Sequence, residues 1–128
     1  MENNSILLVE DDLDIQFALQ TLLEGEGFTV HVAANGRVAL DLILADLSGR
    51  PGLILLDLMM PIMSGAEFLT ILEDRHPALL SAIPIFVMSA RLDVQKQALR
   101  VTGYLQKPLD LEELYCVAKK YAGAPRAQ

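Results

Sequence analysis

Four places along the 128-residue chain set a reactive side chain at the end of an apolar run. Glu10-Asp11-Asp12 follows Ile6-Leu7-Leu8-Val9, Asp57 closes Leu53-Ile54-Leu55-Leu56, Ser89 follows Pro84-Ile85-Phe86-Val87-Met88, and Lys107 follows Gly103-Tyr104-Leu105-Gln106. Carboxylates brought together from these places would repel by roughly 4 kcal/mol per pair at ~4 Å and an effective dielectric of about 20. A cation therefore belongs among them. Oxygen-only donors with no His or Cys nearby favour a hard ion, and Mg²⁺ accepts one or two carboxylates while keeping several waters. Lys107 adds a fixed positive charge and Ser89 a hydroxyl, a set suited to neutralising and orienting the oxygens of a phosphoryl group. Asp57 closes the most apolar run, so it is the carboxylate best placed to attack phosphorus and become an aspartyl phosphate.

The elements between these places must carry them to one point. Short apolar runs alternate with amphipathic stretches, the pattern of βαβ units around a parallel sheet. The first run is unalternated, as in a strand covered on both faces. Phe28-Thr29-Val30-His31-Val32-Ala33 reads as a second strand nearer an edge, and the run ending in Asp57 as the centre of the sheet. Pro84 opens a fourth strand, where a missing N–H is tolerated, and residues 103–106 make a short fifth. Helical spacing links Ile15, Leu19, Leu22 and Leu23, then Val38, Leu40, Leu42, Ile43 and Leu47, then Phe68, Leu69 and Leu72. It links Val94, Ala98, Leu99 and Val101 weakly, and Leu111, Leu114, Val117 and Ala118 in a last stripe. Five strands and five helices in alternation predict a doubly wound α/β fold with right-handed crossovers. Ligands of such sheets bind beyond the carboxyl ends of the strands, where strand order reverses, and all four reactive places fall on that edge. One domain is expected over residues 1–122, with residues 123–128 as a flexible tail.

Composition bounds the partners. Hydrophobic residues make up 52% of the chain, enough for a sizeable core. Ten Lys+Arg against 17 Asp+Glu give a net charge of −7, which disfavours direct attraction to a nucleic-acid backbone. Cys116 is the only cysteine and cannot close an intramolecular disulfide, which suits a reducing compartment. The amino terminus, Met1-Glu2-Asn3-Asn4, is acidic and polar where a secretory signal is basic. The longest apolar stretch, residues 53–63, is broken by Asp57 and Pro61 and falls below the ~18 residues of a membrane span. A cytoplasmic protein with neither nucleic-acid nor membrane partner is expected.

Ile6-Leu7-Leu8-Val9-Glu10-Asp11-Asp12, Leu56-Asp57-Leu58-Met59-Met60-Pro61 with Ser64-Gly65, Val87-Met88-Ser89-Ala90, and Tyr104-Leu105-Gln106-Lys107-Pro108 stand in sequence at successive strand ends. In that order they make the chain resemble the receiver domain of two-component response regulators, over nearly its whole length. The resemblance implies a flavodoxin-like, five-stranded parallel sheet of order 2-1-3-4-5 with helices on both faces. It implies Asp57 as phospho-acceptor, Asp11 as a direct Mg²⁺ ligand, Glu10 as a ligand through water, and the Met59 backbone carbonyl as a third protein ligand. Ser89 would bind a phosphoryl oxygen and shift toward it on phosphorylation. Lys107 would pair with another oxygen, in a loop shaped by Pro108 after a cis peptide bond, and Tyr104 would be the switch aromatic that follows Ser89. A sensor histidine kinase or histidine phosphotransfer protein would be the donor and a protein the downstream target, the domain catalysing only its own phosphorylation and dephosphorylation.

One departure stands out. Ser89 and Lys107 are 18 positions apart, a few fewer than the family usually shows. Residues 90–102 must then hold both a loop and a fourth-crossover helix of about two turns. A short helix there implies no family-standard dimer through that helix, the fifth strand and the last helix.

Two other readings are open. A Mg²⁺-dependent phosphohydrolase working through an aspartyl phosphate generally wants a second acid two positions past the nucleophile, where Met59 stands, and a cap insertion that is not visible. A phosphorylation-independent interaction domain predicts a missing acid, lysine or hydroxyl, and none is missing. Met59 also offers no polar group to hold an attacking water, which predicts slow to moderate loss of the phosphoryl group. Asp12 reads as the cap of the first helix, Lys119-Lys120 as complements of the last helix's dipole, His31 and His76 as surface or packing residues, Cys116 as buried or half-buried, and Met59, Met60 and Met63 as loop packing.

Overall fold

The unalternated apolar runs form the interior of a parallel sheet in the computed structural model, which describes residues 4–45, 50–90 and 100–123. In chain order the elements are β1 (Ser5–Val9), α1 (Leu13–Gly25), β2 (Thr29–Ala33), α2 (Gly36–Ala45), β3 (Leu53–Asp57), α3 (Gly65–Arg75), α4 (Pro77–Ala82), β4 (Ile85–Ser89), β5 (Gly103–Gln106) and α5 (Leu111–Tyr121). All strand pairs are parallel and lie in the order β2-β1-β3-β4-β5. The chain leaves β1 to one side for β2 and returns to the other for β3, so strand order reverses between β1 and β3. Every residue of β3 and β4 is buried.

Each sheet face has its own core. Leu19 and Leu23 of α1 and Leu114 and Ala118 of α5 pack on Ile6, Leu8, Leu53, Leu55, Met88 and Leu105. On the other face, Ala39, Leu40 and Ile43 of α2, Phe68, Leu69 and Leu72 of α3 and Leu80 of α4 cover Leu7, Val9, Ile54, Leu56, Ile85 and Val87. Local signals set the helix starts. The Asp12 carboxylate accepts from the N–H groups of Asp14 and Ile15, as its reading as a cap required, and Asp110 caps α5 in the same way. A reciprocal Ser64–Glu67 capping box opens α3.

α4 is an element the sequence pattern did not reveal. His76 ends α3, and Pro77 opens a second, six-residue helix at its first position, where no N–H is needed. Six residues are too few for a periodic stripe. The apolar stripes also run less deep than their spacing suggests, because Val38, Leu42 and Leu111 are exposed. Cys116 is exposed as well, against the expectation of burial, because it falls between the buried α5 positions Leu114 and Ala118 and off their face. The expected fourth-crossover helix, with residues 91–99, Leu47 of the second stripe and the tail from residue 124 lie outside the described residues. Among the described residues no helix is long and apolar enough to cross a membrane.

Candidate functional site

Sheet register brings the predicted residues together. Val9 pairs with Leu56, so the next residues, Glu10 and Asp57, stand side by side at the reversal point. Asp57 pairs with Met88, Met88 with Leu105, and Ser89 with Gln106, which sets Lys107 one step further along the same edge. Side chains alternate along a strand. Glu10, Asp57 and Lys107 thus continue the series that faces α1 and α5, whereas Ser89 and Tyr104 belong to the series that faces α2 and α3.

The geometry is that of an acid pocket with a built-in cation. Lys107 Nζ lies 3.1 Å from Glu10 Oε1 and 3.5 Å from Asp57 Oδ1. Glu10, Asp11 and Asp57 each offer a carboxylate oxygen, all within 4.8 Å of one another. Glu10 and Asp57 are buried, Asp57 being 5% exposed, while Asp11 faces solvent. Glu10 Oε2 accepts from the Asp12 N–H at 3.3 Å, and Asp57 Oδ1 from the Met59 N–H at 3.4 Å. Burial, and then the hydrogen bond and charge of Asp57, push the Glu10 carboxyl above its ordinary pKa, against the pull of Lys107 and the Asp12 N–H. Burial draws Lys107 down, but the hydrogen bond to Glu10 and the charges of Asp57 and Glu10 outweigh it, and its pKa is raised. Lys107 is therefore a permanent cation at neutral pH. One ammonium against three acids still leaves negative charge, and an all-oxygen donor set fits Mg²⁺ rather than a softer ion.

The loop after β3 is shaped by close approach. A Cβ on Gly65 would collide with the backbone carbonyl of Asp57, so α3 can begin directly beneath the acid only with glycine there. Lys107-Pro108 is a cis peptide bond, as the resemblance implied.

A family model described as the response regulator receiver domain matches residues 6–119. The chain belongs to that family. Among curated relatives, this receiver domain is 34% identical over 125 residues to sporulation initiation phosphotransferase F of Bacillus subtilis, covering 94% of this chain and 95% of the relative. It is 38% identical over 116 residues to response regulator MprA of Mycolicibacterium vanbaalenii, covering 85% of this chain but only 46% of the longer relative. Of solved structures, the CheY-like response regulator receiver domain protein of Methanospirillum hungatei superposes with a TM-score of 0.78 at 30% identity, covering 92% of this chain and 93% of that one. Chemotaxis response regulator CheY4 of Vibrio cholerae gives 0.78 at 27%, covering 91% and 97%. Receiver domains of response regulators bind Mg²⁺ at such an acidic pocket and interact with histidine kinases or phosphotransfer proteins; they are signalling domains rather than conventional enzymes.

In this receiver domain the remaining predicted residues fall as follows. Ser89 is buried at the end of β4, and Tyr104 is half-buried against the core beneath α2 and α3. Met60 and Met63 pack on that same core, but the Met59 side chain is 73% exposed, which corrects its reading as loop packing. His31 is exposed, and His76 is half-buried at the junction of α3 and α4. Lys119 and Lys120 sit in the last turn of α5, over the rings of Tyr115 and Tyr121. Two residues escaped the sequence reading. Gln16, in the first turn of α1, donates its side-chain amide to the backbone carbonyl of Glu10. Ile62 holds a positive φ of 66°. Only the polar residue type hinted at the first, and nothing in the sequence signals the second.

Proposed function

We propose that this receiver domain accepts a phosphoryl group on Asp57 from a phosphohistidine of a sensor histidine kinase or phosphotransfer protein, and signals to a protein partner through the change that follows. An Asp57 carboxylate oxygen attacks phosphorus, the P–N bond to the donor imidazole breaks, and the imidazole leaves with the bonding pair. The observation that carries this reading is the shared cation: Lys107 Nζ is within 3.5 Å of Asp57 Oδ1 while also holding Glu10. That contact keeps a positive charge where a phosphoryl oxygen would arrive, independently of any metal.

Glu10, Asp11, Asp57 and the Met59 backbone carbonyl are the groups that would hold Mg²⁺. When bound, the ion supplies the positive charge that relieves acid repulsion and neutralises phosphoryl oxygens. Ser89 offers a hydroxyl donor to one phosphoryl oxygen, and Lys107 pairs with another. Tyr104, on the same sheet face as Ser89, is the aromatic whose position would follow that hydroxyl. Met59, two positions past Asp57, supplies no acid for a leaving group, which argues against hydrolysis of a separate substrate.

Incubation with Mg²⁺ and acetyl phosphate is expected to add the mass of one phosphoryl group to the wild type and none to Asp57→Asn. An unmodified wild type would support the phosphorylation-independent reading instead.

A further inference from the structure

The five residues after Asp57 and Leu58 end in a turn that the chain holds against its own preference. The Met63 N–H donates to the Pro61 carbonyl at 2.7 Å across Ile62, whose φ is 66°. A three-residue turn with a positive central φ is the rare and strained form of γ-turn. A β-branched residue is the poorest occupant of a positive φ, a half of the map in which Asn is enriched and Gly is unrestricted. Among the described residues no packing compensates, because Ile62 is 82% exposed and belongs to neither core. The turn is imposed from both sides. The Gly65 N–H donates to the Leu58 carbonyl at 3.1 Å, the Gly36 N–H to the Met63 carbonyl at 2.9 Å, and the Ser64–Glu67 capping box follows at once. An outlier of this kind points to a use outside the chain.

Resting on the phosphotransfer reading above, we infer that Ile62 is a specificity-determining contact for the protein that brings the phosphohistidine. Asp57 is recessed at the sheet edge between the loops that follow β1 and β3. A donor histidine carried on a folded protein must lay its flanking surface on those loops. The large apolar side chains they offer are Met59 and Ile62 after β3, with Leu13 and Phe17 one helical turn apart on α1 after β1, 75% and 74% exposed. Ile62 is the member of this rim held in place by a locked turn, so its apolar side chain is presented without the ordering cost of a mobile loop. The donor surface that fits is an apolar patch beside its histidine, and a donor with a polar patch there is discriminated against.

Ile62→Asn and Ile62→Val separate the contact from the fold. Each is offered acetyl phosphate with Mg²⁺, and then the histidine kinases and phosphotransfer proteins of the source organism, each autophosphorylated with labelled ATP. Ile62→Asn relieves the turn, so its thermal midpoint is expected to rise by about 3–5 °C and its labelling by acetyl phosphate to match the wild type. Its rate from the donor that labels the wild type fastest is expected to fall on the order of tenfold, while Ile62→Val, still apolar and branched, retains most of that rate. Equal donor rates for Ile62→Asn and wild type would overturn the contact, as would a lost acetyl phosphate reaction in Ile62→Asn, a lowered midpoint, or a wild type that no protein donor labels. A wild type that acetyl phosphate cannot label overturns phosphotransfer itself and this contact with it.

Discussion

Gln16 reaches six positions back along the chain to donate its side-chain amide to the backbone carbonyl of Glu10. The loop carrying Glu10, Asp11 and Asp12 is thereby fastened to the helix it precedes, with the Asp12 cap as a second fastening.

Removing that amide at constant size, as in Gln16→Met, should leave the fold intact and weaken Mg²⁺ binding. A hydrogen bond of this kind contributes about 0.5–1.5 kcal/mol, so the Kd for Mg²⁺, read by calorimetric titration, is expected to rise by at most roughly twofold to thirteenfold. An unchanged Kd would show that the loop holds its shape without Gln16.

Asp57→Asn should make the metal-free protein more stable, even as it removes the carboxylate that would accept the phosphoryl group on the proposed reading. The substitution removes one of the crowded acids and keeps the shape of the side chain. Its urea midpoint in the presence of a chelator is expected to exceed that of the wild type, and the rise in midpoint that Mg²⁺ produces should shrink. A lower midpoint in chelator would mean that Asp57 is compensated by Lys107 alone.

Glu10 predicts the sign of a pH effect. A carboxyl whose pKa is raised on folding contributes stability that is fully present below its unfolded value of 4.5 and is lost as pH rises through its folded value. Metal-free wild type should therefore lose stability relative to Glu10→Gln as pH rises through that window, and Mg²⁺ affinity should fall as pH drops and protons compete for Glu10. Lys107, also raised, contributes stability that persists until pH climbs past its ordinary 10.5 and through its folded value. Chelator-treated urea midpoints across pH 4–8 and again near pH 11 check both signs.

The phosphoryl group should persist for minutes rather than seconds. Met59 stands exposed beside Asp57 with no polar atom to orient an attacking water. Phosphorylated wild type, followed by mass after the donor is removed in Mg²⁺ buffer, is expected to decay several-fold more slowly than Met59→Asn. Equal decay would place the control of hydrolysis elsewhere.

Much of the site was legible because the sheet writes itself plainly in sequence. Runs such as Leu53-Ile54-Leu55-Leu56 are apolar at every position only when both faces are covered, and the first polar residue after each run must sit at the carboxyl edge. Glu10, Asp57, Ser89 and Lys107 are therefore gathered at one edge by the residue pattern alone. Boundaries and faces were less legible. Pro77–Ala82 is too short to show a period, and Leu111 and Cys116 differ from Leu114 by a rotation about the helix axis that composition does not record. Gln16 was out of reach because its partner is a backbone carbonyl, which carries no residue identity. Ile62 was hidden for the opposite reason: turn propensity argues against a branched side chain at the position it occupies.

The alternation of side chains through the sheet has a consequence for how such a domain can diversify. Glu10, Asp57 and Lys107 belong to the layer under α1 and α5, and Ser89 and Tyr104 to the layer under α2 and α3. On the proposed reading, charge is received in one layer and reported in the other, with β3 and β4 as a shared wall. Substitutions that retune what the molecule tells its target can then accumulate on one side of that wall while the acceptor chemistry on the other stays untouched.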